Sequence, residues 1–301
     1  MSRILIASDG STNSTTAQEF VVQLPFLEQQ HVRLVAATPI PVTLSEYYVE
    51  SVLYEQAKHT QNTVVAPRAT VEAEHLKSSF ASVATDLRIG DPANEILDSA
   101  DDYQADLIVM GARGLSAIPR FLLGSVSDFV CRHARQSVLV VRSPRGTRSE
   151  RAPSGPLRIL FAADGSEAMN RAIEHFAACQ WPSGSSARCV LVHEIVTAFG
   201  FEIAHQDEPY RTAERLKAEL ILEAASRRLN QSFSHVETAL LDSSQIAHTL
   251  VEDAEKWNSD LIVMGNRGLS RWERFLLGST SLGVLHHASC SVWVEKLNQT
   301  I

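Results

Sequence analysis

Apolar residues in this chain fall into short continuous runs, separated by longer segments in which apolar positions recur every three or four residues. The runs Ile4–Ser8, Arg33–Thr38, Val83–Ile89, Leu107–Met110 and Ser137–Arg142 are short and rich in Val, Ile and Leu, which predicts strands. Between them, Thr15–Gln29, Ala93–Tyr103 and Val126–Ala134 carry a helical period. So does the stretch from about Tyr47 to Lys77, where Pro67 should break or kink the helix. The second half repeats the plan, with one uninterrupted helix at about Tyr210–Leu229. Strands that are apolar along their whole length predict a parallel sheet covered on both faces. Right-handed crossovers then leave a doubly wound α/β layer in each half.

The halves are copies of one another. Ala105 to Ser127 returns at Ser259 to Ser281 with 17 of 23 positions identical, and Arg3 to Ser11 is matched by Arg158 to Ser166. Between the copies, Ser143 to Pro156 (SPRGTRSERAPSGP) is rich in Pro, Gly, Ser and Arg and lacks apolar periodicity. It reads as a linker, with domains at 1–146 and 154–301.

The repeated block is an apolar strand running into glycines: Gly111-x-x-Gly114-x9-Gly124-Ser125 and Gly265-x-x-Gly268-x9-Gly278-Ser279. Glycine at a strand-to-helix junction permits positive φ and close approach of backbone to a ligand. In a doubly wound sheet, ligands sit beyond the carboxyl ends of the strands at the switch point. Two junctions land there, Asp9-Gly10-Ser11 after strand one and Met110-Gly111 after strand four. Asp9 is suited to accept hydrogen bonds from ribose hydroxyls, and Gly111 and Gly114 let backbone pass close to a ribose-phosphate. Ser125 and Ser127 would offer hydroxyls, and the free amides of the helix start suit phosphate oxygens. Arg113 and Arg267 add positive charge at equivalent places. The competing reading makes Asp9 and Asp164 helix caps, and Ser125 and Ser279 N-caps whether or not phosphate binds. Neither GxxxxGK[ST] nor GxGxxG is present.

Composition narrows the function classes. With 301 residues, 45% hydrophobic and 21% charged, the chain suits two soluble globular domains. A net charge of −8 argues against a general nucleic-acid or anionic-membrane binder. No apolar run approaches the ~18 residues of a membrane span, and the N-terminus MSRILIASDG lacks a signal-peptide core. Cys131, Cys179, Cys189 and Cys290 form no CxxC pair, so reduced thiols and a cytoplasmic location are expected. Neither His286-His287 nor His193 and His205 has zinc-site spacing. Phosphoryl transfer needs a base and carboxylates that hold Mg²⁺ near the γ-phosphate, and beside Asp9 and Asp164 the first glycine loop carries no acid and the second only Glu273, too few for a carboxylate pair. A non-enzymatic protein is expected.

At these residues the chain resembles the universal stress protein family in its tandem two-domain form, over nearly its whole length. The resemblance implies two flavodoxin-like domains, each a five-stranded parallel sheet of order 3-2-1-4-5. It implies adenine-nucleotide binding, with ATP as cofactor, with or without Mg²⁺, and a role in stress response through nucleotide occupancy. The family's ATP-binding pattern carries onto Asp9, Met110, Gly111, Arg113, Gly114, Gly124, Ser125, Val126 and Ser127. In the second half it carries onto Asp164, Met264, Gly265, Arg267, Gly268, Gly278, Ser279, Thr280 and Ser281. In the family the end of strand two lines the adenine pocket, here Pro39 or Ile40, and Glu194 or Ile195. A glutamate facing adenine would weaken the second site. Gly90-Asp91-Pro92 becomes Ser244-Gln245-Ile246, and Ala117-Ile118-Pro119 becomes Arg271-Trp272-Glu273, so equal affinity at the two sites is not expected. The last strand of each half is expected to pair the domains as a pseudo-twofold, or two chains as a homodimer. Two alternatives stand beside this reading: a slow ATPase or nucleotidyl-transfer enzyme, and a nucleotide-free scaffold for protein partners.

Overall fold

The computed structural model describes residues 3–25, 30–41, 50–115, 123–143, 155–195, 197–198, 201–202, 208–266 and 277–297. The chain divides into two compact units, one built on Met1–Arg142 and the other on Ser143–Leu297.

The first unit runs β1 (Arg3–Ala7), α1 (Thr12–Val21), β2 (His31–Thr38), α2 (Glu50–Thr60), α3 (Ala66–Leu76) and β3 (Ser82–Ile89). It continues with α4 (Pro92–Tyr103), β4 (Leu107–Gly111), α5 (Ser125–His133) and β5 (Ser137–Val141). The strands are parallel in the order β3-β2-β1-β4-β5. β4, near the middle, is buried at every position. α1 lies on β4 and β5, while α3 and α4 both cover β2 and β3 and so occupy opposite faces. The parallel order puts all the strand carboxyl ends on one edge, with β1 and β4 side by side at its centre.

Proline chemistry explains two departures from the sequence pattern. α1 ends at Val21 rather than Gln29, because Pro25 disfavours helical backbone at Leu24. It also starts three residues earlier than its apolar pattern, at the turn that Ser11 caps. Pro67 does not interrupt the long helical segment outright. The ladder widens into a π-helical turn over Gln61–Val65, with the Ala66 amide donating to the Gln61 carbonyl. Pro67 then falls at the start of α3, where its missing N–H is least costly.

The second unit runs β6 (Arg158–Ala162), α6 (Glu167–Ala177), β7 (Ser186–Glu194), α7 (Glu208–Leu229) and β10 (His235–Ser243), with a small antiparallel pair, β8 (Thr197–Ala198) and β9 (Phe201–Glu202), after β7. It closes with α8 (Ile246–Lys256), β11 (Leu261–Gly265), α9 (Ser279–His287) and β12 (Ser291–Glu295). Its parallel order, β10-β7-β6-β11-β12, repeats that of the first unit. Its core is aromatic: Trp181 stacks between Phe176 and Phe233, with ring centroids 5.6 and 5.0 Å away. Phe161 and Trp293 meet Phe176 edge-on at 5.3 and 5.5 Å.

Candidate functional site

β1 ends in a turn that glycine makes possible, since Gly10 takes φ +76° and Gly165 φ +73° in the equivalent turn after β6. Asp9 closes its own turn: Oδ1 accepts from the Ser11 amide at 2.9 Å, and Asp164 Oδ1 accepts from Ser166 at 2.9 Å. Neither aspartate caps the helix. That work falls to Ser11 and Ser166, whose hydroxyls accept from the amides of Ser14 and Met169 at 3.2 Å each. Burial raises the Asp164 carboxyl pKa above its ordinary value, against the hydrogen bonds from Ser166, which lower it.

The remaining Asp9 oxygen reaches across the strand ends. Asp9 Oδ2 accepts from the amide of Leu115 at 3.0 Å, so the first turn and the glycine loop are clasped together. The pairing of Ile4 with Leu107 and Ile6 with Val109 sets the two loops side by side. Glycine is needed in this loop for room rather than for φ, because Gly111, Gly114 and Gly124 do not take positive φ. A Cβ on Gly114 would land on Asp9 Oδ2, and one on Gly111 would come within 2.8 Å of the Asn13 backbone. One on Gly124 would lie 3.3 Å from the Ala112 carbonyl oxygen.

α5 and α9 begin one residue earlier than a serine cap would place them. Gly124 and Gly278 are the N-caps, without a side-chain cap, and Ser125 and Ser279 are the first helical residues. A glycine cap leaves the opening amides to another acceptor. In the first half these belong to Ser125, Val126 and Ser127, and in the second to Ser279, Thr280 and Ser281. A helix start without a side-chain cap suits an anion.

Ser127 and Ser281 do not turn their hydroxyl protons to a ligand. Both are buried, and they donate to the carbonyls of Gly111 and Gly265 at 2.9 Å, tying each helix to the strand before it. Ser127→Ala is therefore expected to lower stability by about 1 kcal/mol and to leave ligand affinity nearly unchanged, as denaturant melts and titrations of the same sample would show. Met110 and Met264 are likewise buried in their strands.

Arg113 is half-buried, and its Nε finds no hydrogen-bond partner among the described residues. Arg267 and Gly268 lie outside the described residues. Pro39 lines a cavity of about 870 Å³ beyond the end of β2, together with Thr38, Pro41, Val52 and Thr60. The Thr38 hydroxyl there is buried without a partner among the described residues. In the second half Glu194 is exposed and Ile195 half-buried.

Sequence reasoning missed Arg68. Its Nη1 donates to the Asp9 carbonyl at 2.9 Å from a position 59 residues along the chain. Nothing in the local pattern of α3 marks it out. Among the described residues no group of three or more His, Cys, Asp or Glu could hold a metal, and no helix is long and apolar enough to cross a membrane.

Comparison with known proteins places this geometry among relatives. The profile of the universal stress protein family matches residues 1–142 and again 157–296. A universal stress protein of Methanocaldococcus jannaschii is 31% identical over 149 residues, covering 48% of this chain and 83% of that protein. One from Mycolicibacterium smegmatis is 25% identical over 303 residues, covering 97% of this chain and 96% of its own length. The crystal structure of a universal stress protein from Archaeoglobus fulgidus superposes with a TM-score of 0.66 at 22% identity. That match covers 99% of this chain and 97% of the other, and it is a likeness of fold.

Proposed function

Since the chain belongs to the universal stress protein family and carries its domain twice, we propose that it binds adenine nucleotide, ATP foremost, at the β1/β4 crevice and signals by occupancy. The observation that carries this reading is the clasp of Asp9 Oδ2 on the Leu115 amide beside Gly114. It brings an acceptor suited to a ribose hydroxyl against a loop that has no side chain at its closest point. The same loop ends at the α5 N-terminus, where backbone amides suit phosphate oxygens. ATP would supply the polyphosphate for those amides and the ribose for Asp9. Any Mg²⁺ would arrive with the phosphates.

The clasp also offers a way for occupancy to be felt. The Asp9 oxygen that a ribose hydroxyl would use is the one that now holds Leu115. A ribose hydroxyl there shares or displaces the Leu115 contact, so occupancy bears directly on the glycine loop and biases its state. Such a site holds nucleotide rather than turning it over, because Asp9 stands at the nucleoside end. Cytoplasmic action in stress response follows from the same reading.

Mass spectrometry of ligand released by denaturing freshly purified protein tests the choice of nucleotide. An adenine nucleotide is the expected result. A guanine nucleotide or a flavin in its place would overturn the assignment.

A further inference from the structure

The wall beside the Asp-Gly-Ser turn is polar in one half and apolar in the other. In the first half Arg68, in the opening turn of α3, lies directly against Gly10. A Cβ there would come within 2.5 to 2.7 Å of the guanidinium and Cδ of Arg68. Arg68 Nη1 donates to the Asp9 carbonyl at 2.9 Å, and the guanidinium forms an ion pair with Glu72, Nε to Oε1 3.4 Å, without a hydrogen bond at the buried Nε. Glu72 Oε2 in turn accepts from Gln18 Nε2 on α1 at 3.3 Å. Ser8 extends the polar side, accepting from the Gly10 amide at 3.2 Å and donating to Ser14 Oγ at 3.3 Å. Ser8, Ser14 and Gln18 are buried.

In the second half an isoleucine stands where the arginine was. The side chain that a Cβ on Gly165 would meet is Ile221, at 2.8 Å. The repeat offset of 153 to 155 sets Ala225 against Glu72, Ile173 against Gln18, and Ala163 and Met169 against Ser8 and Ser14. Ala163, Met169, Ile173 and Ala225 are all buried. A largely buried guanidinium, carboxylate and amide are costlier to desolvate than isoleucine and alanine. The second half shows that this fold closes without them.

The polar chain ends on the backbone carbonyl of the residue whose carboxylate clasps the glycine loop. We infer that Arg68, braced by Glu72, is a positioning residue for the first ligand site. It fixes the height of the Asp9–Gly10 turn, and the second site, which has Ile221 in its place, is the weaker of the two. The inference rests on the reading of the crevice as a nucleotide site.

Transplanting the second half's wall tests it, with Gln18→Ile, Arg68→Ile and Glu72→Ala combined in the full chain. Photolabelling with an azido-ATP analogue, mapped to peptides of each half, reads both sites within one molecule. First-half labelling should fall about tenfold, while second-half labelling and the melting temperature hold. Arg68→Lys, which keeps a donor for the Asp9 carbonyl, should recover part of the loss. Undiminished first-half labelling in the folded triple variant overturns the inference and leaves the wall as packing alone. Should the triple variant fail to fold, Arg68→Met alone gives the same readout. Wild-type protein that takes no label in either half removes the nucleotide reading itself, and this inference with it.

Discussion

Gly114→Val is expected to abolish ATP binding in the first half, a loss of at least about a hundredfold or 2.7 kcal/mol, while the fold survives. A Cβ at this position lands on Asp9 Oδ2, and valine adds two methyl groups where a ribose-phosphate would pass. Gly114 is exposed and does not take positive φ, so valine neither strains the backbone nor disturbs the core. The neighbouring glycine makes a poorer probe, because a Cβ on Gly111 would strike the Asn13 backbone and shift α1. Titration of wild-type and variant protein, with circular dichroism melts of both, separates loss of site from loss of fold. An unchanged number of bound nucleotides at unchanged affinity would make the loop an ordinary turn and favour the nucleotide-free scaffold.

Burial decides which parts of this molecule could be read from its sequence. β1, β4 and their repeats are apolar without alternation because helices cover both faces, so their runs mark the strands within a residue or two. The end of α1 at Val21 is not legible because the helical period runs on past Pro25, whose effect falls on the residue before it. The β8–β9 pair is two residues per strand, too short to leave a period.

At the site, the repeated glycines pointed to a backbone that something approaches closely. In the structure Asp9 Oδ2 and Asn13 stand closest to Gly114 and Gly111, contacts between loops that no local pattern shows. The spacing of Gly-Ser at the helix start could not show that glycine, not serine, is the cap. Nor could it show that the Ser127 hydroxyl is taken by the Gly111 carbonyl. Arg68 was invisible for a different reason. It meets Asp9 through tertiary packing, in a segment where the halves have diverged and the first carries a π-helical turn.

The response of thermal stability to ATP tests the central claim most directly, on protein first shown by mass spectrometry to carry no ligand. A ligand that binds only the native state at about 100 times its dissociation constant stabilises it by about 2.7 kcal/mol per filled site. For a unit of this size that corresponds to a rise of roughly 5 to 11 °C in melting temperature. Because the walls beside Gly10 and Gly165 differ, the first unit should respond at lower ATP concentration than the second. The account predicts a saturable rise with ATP whose first-unit component Gly114→Val removes. A melting temperature unmoved by millimolar ATP in the ligand-free protein would contradict it.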